Sequence, residues 1–86
     1  MKKIEYTVSD ESGIHARPAG LIVNCAKKYN SSISIQLGEK NANAKKLFEV
    51  MQLGAKRGDR VVIVASGDDE DDALSDMEAV LGKAGL

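Results

Sequence analysis

Tryptophan is absent from this 86-residue sequence, and phenylalanine and proline occur once each. Aromatic residues total 3%, so the core has to be built from aliphatic side chains. A single cysteine, Cys25, excludes an internal disulfide. No stretch reaches the roughly 18 consecutive apolar residues of a membrane-spanning helix, so no membrane insertion is expected. The opening Met1-Lys2-Lys3-Ile4-Glu5 lacks the apolar segment of a secretory signal, and a cytoplasmic location is the expectation. Only one histidine is present, and without a second histidine or a cysteine pair no metal site is expected. Neither G-x-x-x-x-G-K-[ST] nor G-x-G-x-x-G occurs, so the chain is not expected to take phosphate from a nucleotide unaided.

The length is that of one domain, 1–86, with one modest core. Hydrophobic residues are 43% and charged residues 29%, ordinary values for a globular chain. The net charge of −1 conceals a basic body and an acidic C-terminal segment. A basic body attracts acidic proteins, phosphates or nucleic acid. No aromatic-and-basic RNA-binding motif accompanies it, so nucleic acid is not an expected partner.

Ile4, Tyr6 and Val8 alternate with polar residues, the period of a half-buried strand. Ser9 to Gly13 is a polar loop, and Pro18 fits the first turn of a helix. Apolar residues at 19, 22, 26 and 29 give that helix, over 18–29, its buried stripe. Cys25 falls on or beside the stripe and is expected to be an inert core residue. Ile33, Ile35 and Leu37 mark a second strand, and a turn at 38–40 leads into a short third one over 40–43. A short helix is expected over 44–53, ended by Gly54, with Leu47, Val50 and Met51 facing inward. R-V-V-I-V-A, 60–65, suits a central strand, and 69–84 reads as the closing helix.

The order is β-α-β-β-α-β-α, packed most simply as one sheet with helices on one face. The acidic run 68–72 fails the EF-hand pattern, because alanines stand where that loop needs Gly and Glu. It reads as favourable charge at a helix N-terminus with surplus surface charge. Arg57-Gly58-Asp59 is a turn, and its likeness to an adhesion tripeptide is chance.

The chemistry concentrates in G-I-H-A-R-P-A, Gly13 to Ala19. Helix N-termini present unpaired N–H groups and partial positive charge, which suit anions. His15 stands just before such a terminus, Pro18 fixes its start, and Arg17 adds a guanidinium suited to phosphate oxygens. An ordinary imidazole is largely neutral near pH 7 and offers a ring nitrogen as nucleophile. The local pattern fits two roles equally: a helix cap, or a phosphoryl acceptor that other proteins load and unload. Opposite the buried stripe of the first helix lie Gly20, Leu21, Asn24 and Lys27. On the short helix Phe48 and Gln52 point outward. Exposed Leu21 and Phe48, rimmed by lysines, mark a docking face with an aromatic anchor.

The stretch G-I-H-A-R-P-A followed by an apolar helix resembles the active-site signature of the HPr family, the histidine-containing phosphocarriers of the bacterial phosphoenolpyruvate-dependent sugar phosphotransferase system. N-A-K-K-L-F-E-V-M-Q-L-G, Asn43 to Gly54, resembles the family's second signature, and the element order matches along the whole chain. The resemblance implies an α+β open-faced β-sandwich, a four-stranded antiparallel sheet covered on one face by three helices. It implies that enzyme I phosphorylates His15 on Nδ1, that Arg17 stabilises the phosphate, and that the group passes to IIA proteins or domains of sugar permeases. A carrier of this kind is a relay component, not an independent enzyme. It works as a monomer and needs no cofactor. Leu21, Leu47 and Phe48 map onto the family's apolar docking surface, and Met51 is assigned to the docking face with them.

Two positions depart from the pattern. Many members carry a serine where Lys46 stands, and in low-GC Gram-positive relatives a dedicated kinase phosphorylates it. Lysine cannot accept that phosphate, and it opposes the helix dipole where serine would cap. Asn43 is an alternative cap. Glu49 places an acid on a face that relatives keep neutral or basic. A regulatory paralogue, such as a nitrogen-branch carrier with the same His15 chemistry, is the alternative reading.

Overall fold

A computed structural model describes all residues, 1–86. The elements run β1 (Lys2–Thr7), α1 (Ala16–Ala26), β2 (Ser32–Leu37), β3 (Lys40–Asn43), α2 (Leu47–Gln52), β4 (Arg60–Ser66) and α3 (Glu70–Lys83). The strands form one antiparallel sheet in the order β1-β4-β2-β3. β4 is thus an inner strand, which explains its unbroken β-branched run. Val61, Ile63 and Ala65 are buried beneath the helices, while Val62 and Val64 lie half-buried on the open face. The register puts Ile4, Ile63, Ile35 and Ala42 in one row across all strands, against the buried stripes of α1 and α3. Burying an isoleucine fully is worth about 1.5–3 kcal/mol, so this row and Ile22 carry much of the fold's stability.

The element order, sheet and helix layer match the expectation, and the boundaries differ in instructive ways. β1 begins at Lys2 and releases Val8, whose N–H donates to the Asp59 carbonyl at 2.9 Å. α1 starts two residues ahead of Pro18, because the first-turn N–H groups need no helical partner and proline lacks only one of those. It ends at Ala26, so Tyr29 lies beyond the helix and gives its hydroxyl to Asp76 Oδ2 at 2.6 Å.

α2 is shorter than the spacing predicts. Asn43 to Lys46 form a turn instead, with Lys45 N–H on Asn43 Oδ1 at 2.9 Å and Lys46 N–H on the Asn43 carbonyl at 3.0 Å. Asn43 therefore stabilises the approach to α2 without capping it, and Lys46 occupies the cap position with no side-chain cap bond. With the helix beginning at Leu47, the buried face is set by Val50 and Leu53. The inward assignment of Leu47 is overturned: it sits in the first turn at 38% exposure, and Met51 is half-buried. Gly54 terminates α2 with φ +67, as its position after the last apolar residue indicated.

The acidic run does more than supply charge to α3. Asp69 accepts the N–H groups of Asn30 and Ser31, both at 2.9 Å, and the Ser31 hydroxyl. Glu70 accepts the Gly67 N–H and meets the Met1 ammonium at 3.2 Å, and Asp71 pairs with Lys2 at 2.6 Å. These contacts fasten the start of α3 to the α1–β2 connection and to β1. The sequence carried no sign of the partners, because each lies far away along the chain.

Candidate functional site

Gly13 places the loop that precedes α1. Its φ is +66, and a Cβ there would lie 2.1 Å from the Ala55 carbonyl oxygen. Ile14 N–H donates to that same oxygen at 3.1 Å, and Ile14 is buried. The loop is thereby tied to the segment that follows α2, and His15 emerges from it as the N-cap residue of α1. At φ −108 and ψ −172 its backbone is extended, and its carbonyl accepts the Ala19 N–H at 2.9 Å.

The imidazole itself makes no cap bond. Its side chain is 44% exposed, and Nε2 stands 3.7 Å from Asp10 Oδ2. The cap role left open by the local pattern therefore falls to the His15 backbone and leaves the ring free. No protein group accepts from the N–H of Ala16 or Arg17. The first turn of α1 holds no acid, whereas that of α3 holds Glu70, Asp71 and Asp72. No acid of the first turn of α1 offsets the positive end of its dipole, and the Ala16 and Arg17 N–H groups are open to an external anion.

Arg17 sits in this first turn, exposed. Arg57 pairs with Glu11 at 3.4 Å and Arg60 with Glu5 at 3.5 Å, but no carboxylate lies within 4.0 Å of Arg17. Its guanidinium is available to a phosphate. Pro18 is buried just behind it. Neither shallow concavity of the molecule, about 320 and 280 Å³, includes His15 or Arg17 in its lining. The site is an open surface, suited to meeting another protein and unsuited to enclosing a small substrate. No group of three or more His, Cys, Asp or Glu side chains is arranged to hold a metal ion.

α1 packs against α2, and each helix carries exposed residues. Leu21 is 40% and Phe48 76% exposed. Asn24, Lys27 and Gln52 are also exposed, while Gly20 and Met51 are half-buried. Phe48 does not fold back onto the core. Glu49, on the same helix, turns its carboxylate back toward the turn before α2: Oε1 accepts the Asn43 N–H at 3.0 Å, and Oε2 lies 3.9 Å from Lys46. Cys25 is buried, and burial, followed by the charge of Asp76, pushes its thiol up to about 11, as an inert core residue requires. Asp10 is the site residue that sequence reasoning missed. Its carboxylate reaches the imidazole only because the loop folds back on itself.

The family model described as "PTS HPr component phosphorylation site" matches residues 2–83. The histidine-containing phosphocarrier protein of Mycoplasma is 33% identical, with a TM-score of 0.97 over 99% of this chain and 97% of that one. HPr-C-His of Thermoanaerobacter tengcongensis is 34% identical, with a TM-score of 0.92 over 99% of this chain and 96% of that one. Crh of Bacillus subtilis, named a catabolite repression protein and described as a dimer with a swapping domain, is 31% identical, with a TM-score of 0.77 over 100% and 99%. A model matching nearly the whole chain, and neighbours of this identity with the same open-faced sandwich, establish that the chain belongs to the HPr phosphocarrier family.

Proposed function

We propose that this chain carries a phosphoryl group on His15, accepting it from enzyme I, where it originates in phosphoenolpyruvate, and donating it to IIA proteins or domains of sugar permeases. The observation that carries this reading is an exposed imidazole, uncommitted to capping, at a helix N-terminus with no acid in its first turn and beside an unpaired arginine. In the transfer the Nδ1 lone pair forms the N–P bond. The bond from phosphorus to the donor breaks, and its electron pair leaves with the donor. The N–H groups of Ala16 and Arg17 and the Arg17 guanidinium stabilise the phosphoryl oxygens. Gly20, Leu21, Asn24 and Lys27 on α1 and Leu47, Phe48, Met51 and Gln52 on α2 form the surface on which both partners dock. The chemistry needs no cofactor, and its setting is the cytoplasm.

The test is labelling with enzyme I and phosphoenolpyruvate. One acid-labile phosphate is expected on the wild type and none on His15→Ala. Because the ring makes no cap bond, that variant should keep its stability within about 0.5 kcal/mol. Persistent labelling of the variant would move the acceptor elsewhere.

A second reading, a regulatory paralogue, draws on the likeness to Crh, which is named a catabolite repression protein. It keeps the His15 chemistry and changes the partner. Complementation of a carrier-deficient strain on a transported sugar separates the two, since growth requires the transport role. Light scattering at working concentration tests the monomer against the dimeric form described for Crh.

A further inference from the structure

Asp10 lies at the start of the tight turn that leads into α1. Its Oδ1 accepts the Ser12 N–H at 2.8 Å, and its carbonyl accepts the Gly13 N–H at 2.9 Å. These bonds orient the carboxylate, and its other oxygen, Oδ2, lies 3.7 Å from Nε2 of His15. The Asp10 side chain is 27% exposed, and no lysine or arginine forms an ion pair with it. The imidazole is the one basic group it faces. A neutral imidazole has one nitrogen that donates and one that accepts. A carboxylate only accepts, so it favours the tautomer whose proton points at it. Contacts of this length at reactive groups shorten when charge develops on the ring.

We propose that Asp10 is a positioning residue for His15: its carboxylate holds the ring proton on Nε2 and leaves Nδ1 as the nitrogen with the free lone pair. The consequence for transfer rests on the phosphocarrier reading. When Nδ1 forms the N–P bond, the donor's bond to phosphorus breaks and the electron pair leaves with the donor. The ring keeps its Nε2 proton and becomes cationic, and Asp10 faces that charge. On donation the N–P bond breaks and its pair returns to Nδ1, with no proton moved. An Nδ1–H tautomer would have to shed a proton first.

A purely structural Asp10 would serve the turn alone, and Asp10→Asn separates the two roles. The amide oxygen keeps the acceptor for the Ser12 N–H. The amide nitrogen then takes the place of Oδ2 and donates toward Nε2, which reverses the preference. The readout is the imidazole tautomer in unphosphorylated, 15N-labelled protein at about pH 8.5, where imidazoles are neutral. Nε2–H is expected to dominate in the wild type. The Nε2–H to Nδ1–H ratio should fall by about fivefold in Asp10→Asn, because a charge that attracts the Nε2 proton from 3.7 Å is exchanged for a donor that repels it. Asp10→Ala should fall between them. Equal ratios in wild type and Asp10→Asn overturn the proposal.

Phosphoramidate, a small phosphoryl donor, tests the consequence without any partner protein. The rate of Nδ1 phosphorylation should fall by about twofold in Asp10→Asn, because a dominant Nε2–H fraction falls less than the tautomer ratio does, and an unchanged rate overturns it. Failure of enzyme I to label the wild type would sink the phosphocarrier reading and leave the tautomer result standing. Unchanged tautomers alongside normal enzyme I labelling would sink the role of Asp10 alone.

Discussion

Gly13 approaches Ala55 so closely that a Cβ at position 13 would stand 2.1 Å from the Ala55 carbonyl oxygen. That oxygen also accepts the Ile14 N–H, so one contact fixes both the glycine and the residue before His15. Gly13→Ala should therefore lose stability through its φ of +66 and through the clash, by about 2–4 kcal/mol together. Urea denaturation measures this. The same substitution displaces the His15 loop, so phosphoryl acceptance should fall even at temperatures where the variant is folded. A Gly13→Ala protein with wild-type stability would mean that the loop yields freely at Ala55.

The contacts at the start of α3 make the protein acid-sensitive. The Ser31 hydroxyl, then the Asn30 N–H, hold the Asp69 carboxyl below its usual range. The Gly67 N–H, then the N-terminal ammonium, do the same for Glu70, and the Tyr29 hydroxyl does it for Asp76. With native values depressed, the unfolded chain binds more protons as the pH falls. The stabilisation is complete above the ordinary carboxylate values near pH 4 and drains away as the pH drops through the lowered native ones. Tm should be level from about pH 7 to 5 and decline below about 4. Asp69→Asn should flatten that decline, and an undiminished acid slope would show that the Ser31 and Asn30 bonds contribute nothing.

Lys46 opens α2 without a side-chain cap bond, at a helix end whose dipole disfavours a cation. Its only charged neighbour is Glu49 at 3.9 Å, an exposed pair of little worth. Lys46→Ser gives α2 the missing acceptor and should raise stability by about 0.5–1 kcal/mol, read from thermal or urea unfolding. Incubated with the serine kinase and ATP, the wild type should take no phosphate at this position. A loss of stability in Lys46→Ser would show that the Glu49 pair outweighs the cap.

Local pattern was enough to read the order of elements, the inner place of β4 and the His15–Arg17–Pro18 cluster, because each depends on neighbours within a few residues. The limits of α2 were not readable that way. Whether 44–46 continue a helix turns on Asn43 bonding the Lys45 and Lys46 N–H groups, a competition that periodicity does not register. Leu47 was misassigned inward for the same reason, since a helix begun three residues later buries a different face. The contacts of Asp69 with Ser31, of Tyr29 with Asp76 and of Asp10 with His15 depend on how the chain folds back, so no spacing announces them.

Phe48 is the test of the docking face. Apart from Met1 at 85%, it is the most exposed large apolar residue, at 76%, and its removal costs the fold little. Phe48→Ala should change stability by no more than about 0.5 kcal/mol. If the ring anchors a partner, its loss from the interface is worth about 2 kcal/mol, or about thirtyfold in kcat/KM for transfer from enzyme I. Leu47→Ala, at 38% exposure, should behave in the same direction with a smaller loss of transfer and a larger loss of stability. The ordering matters because an interface role and a core role predict opposite patterns for the pair. Equal transfer rates for Phe48→Ala and wild type would leave an exposed aromatic with no partner, and the docking surface would then have to lie on α1 alone, around Leu21 and Lys27.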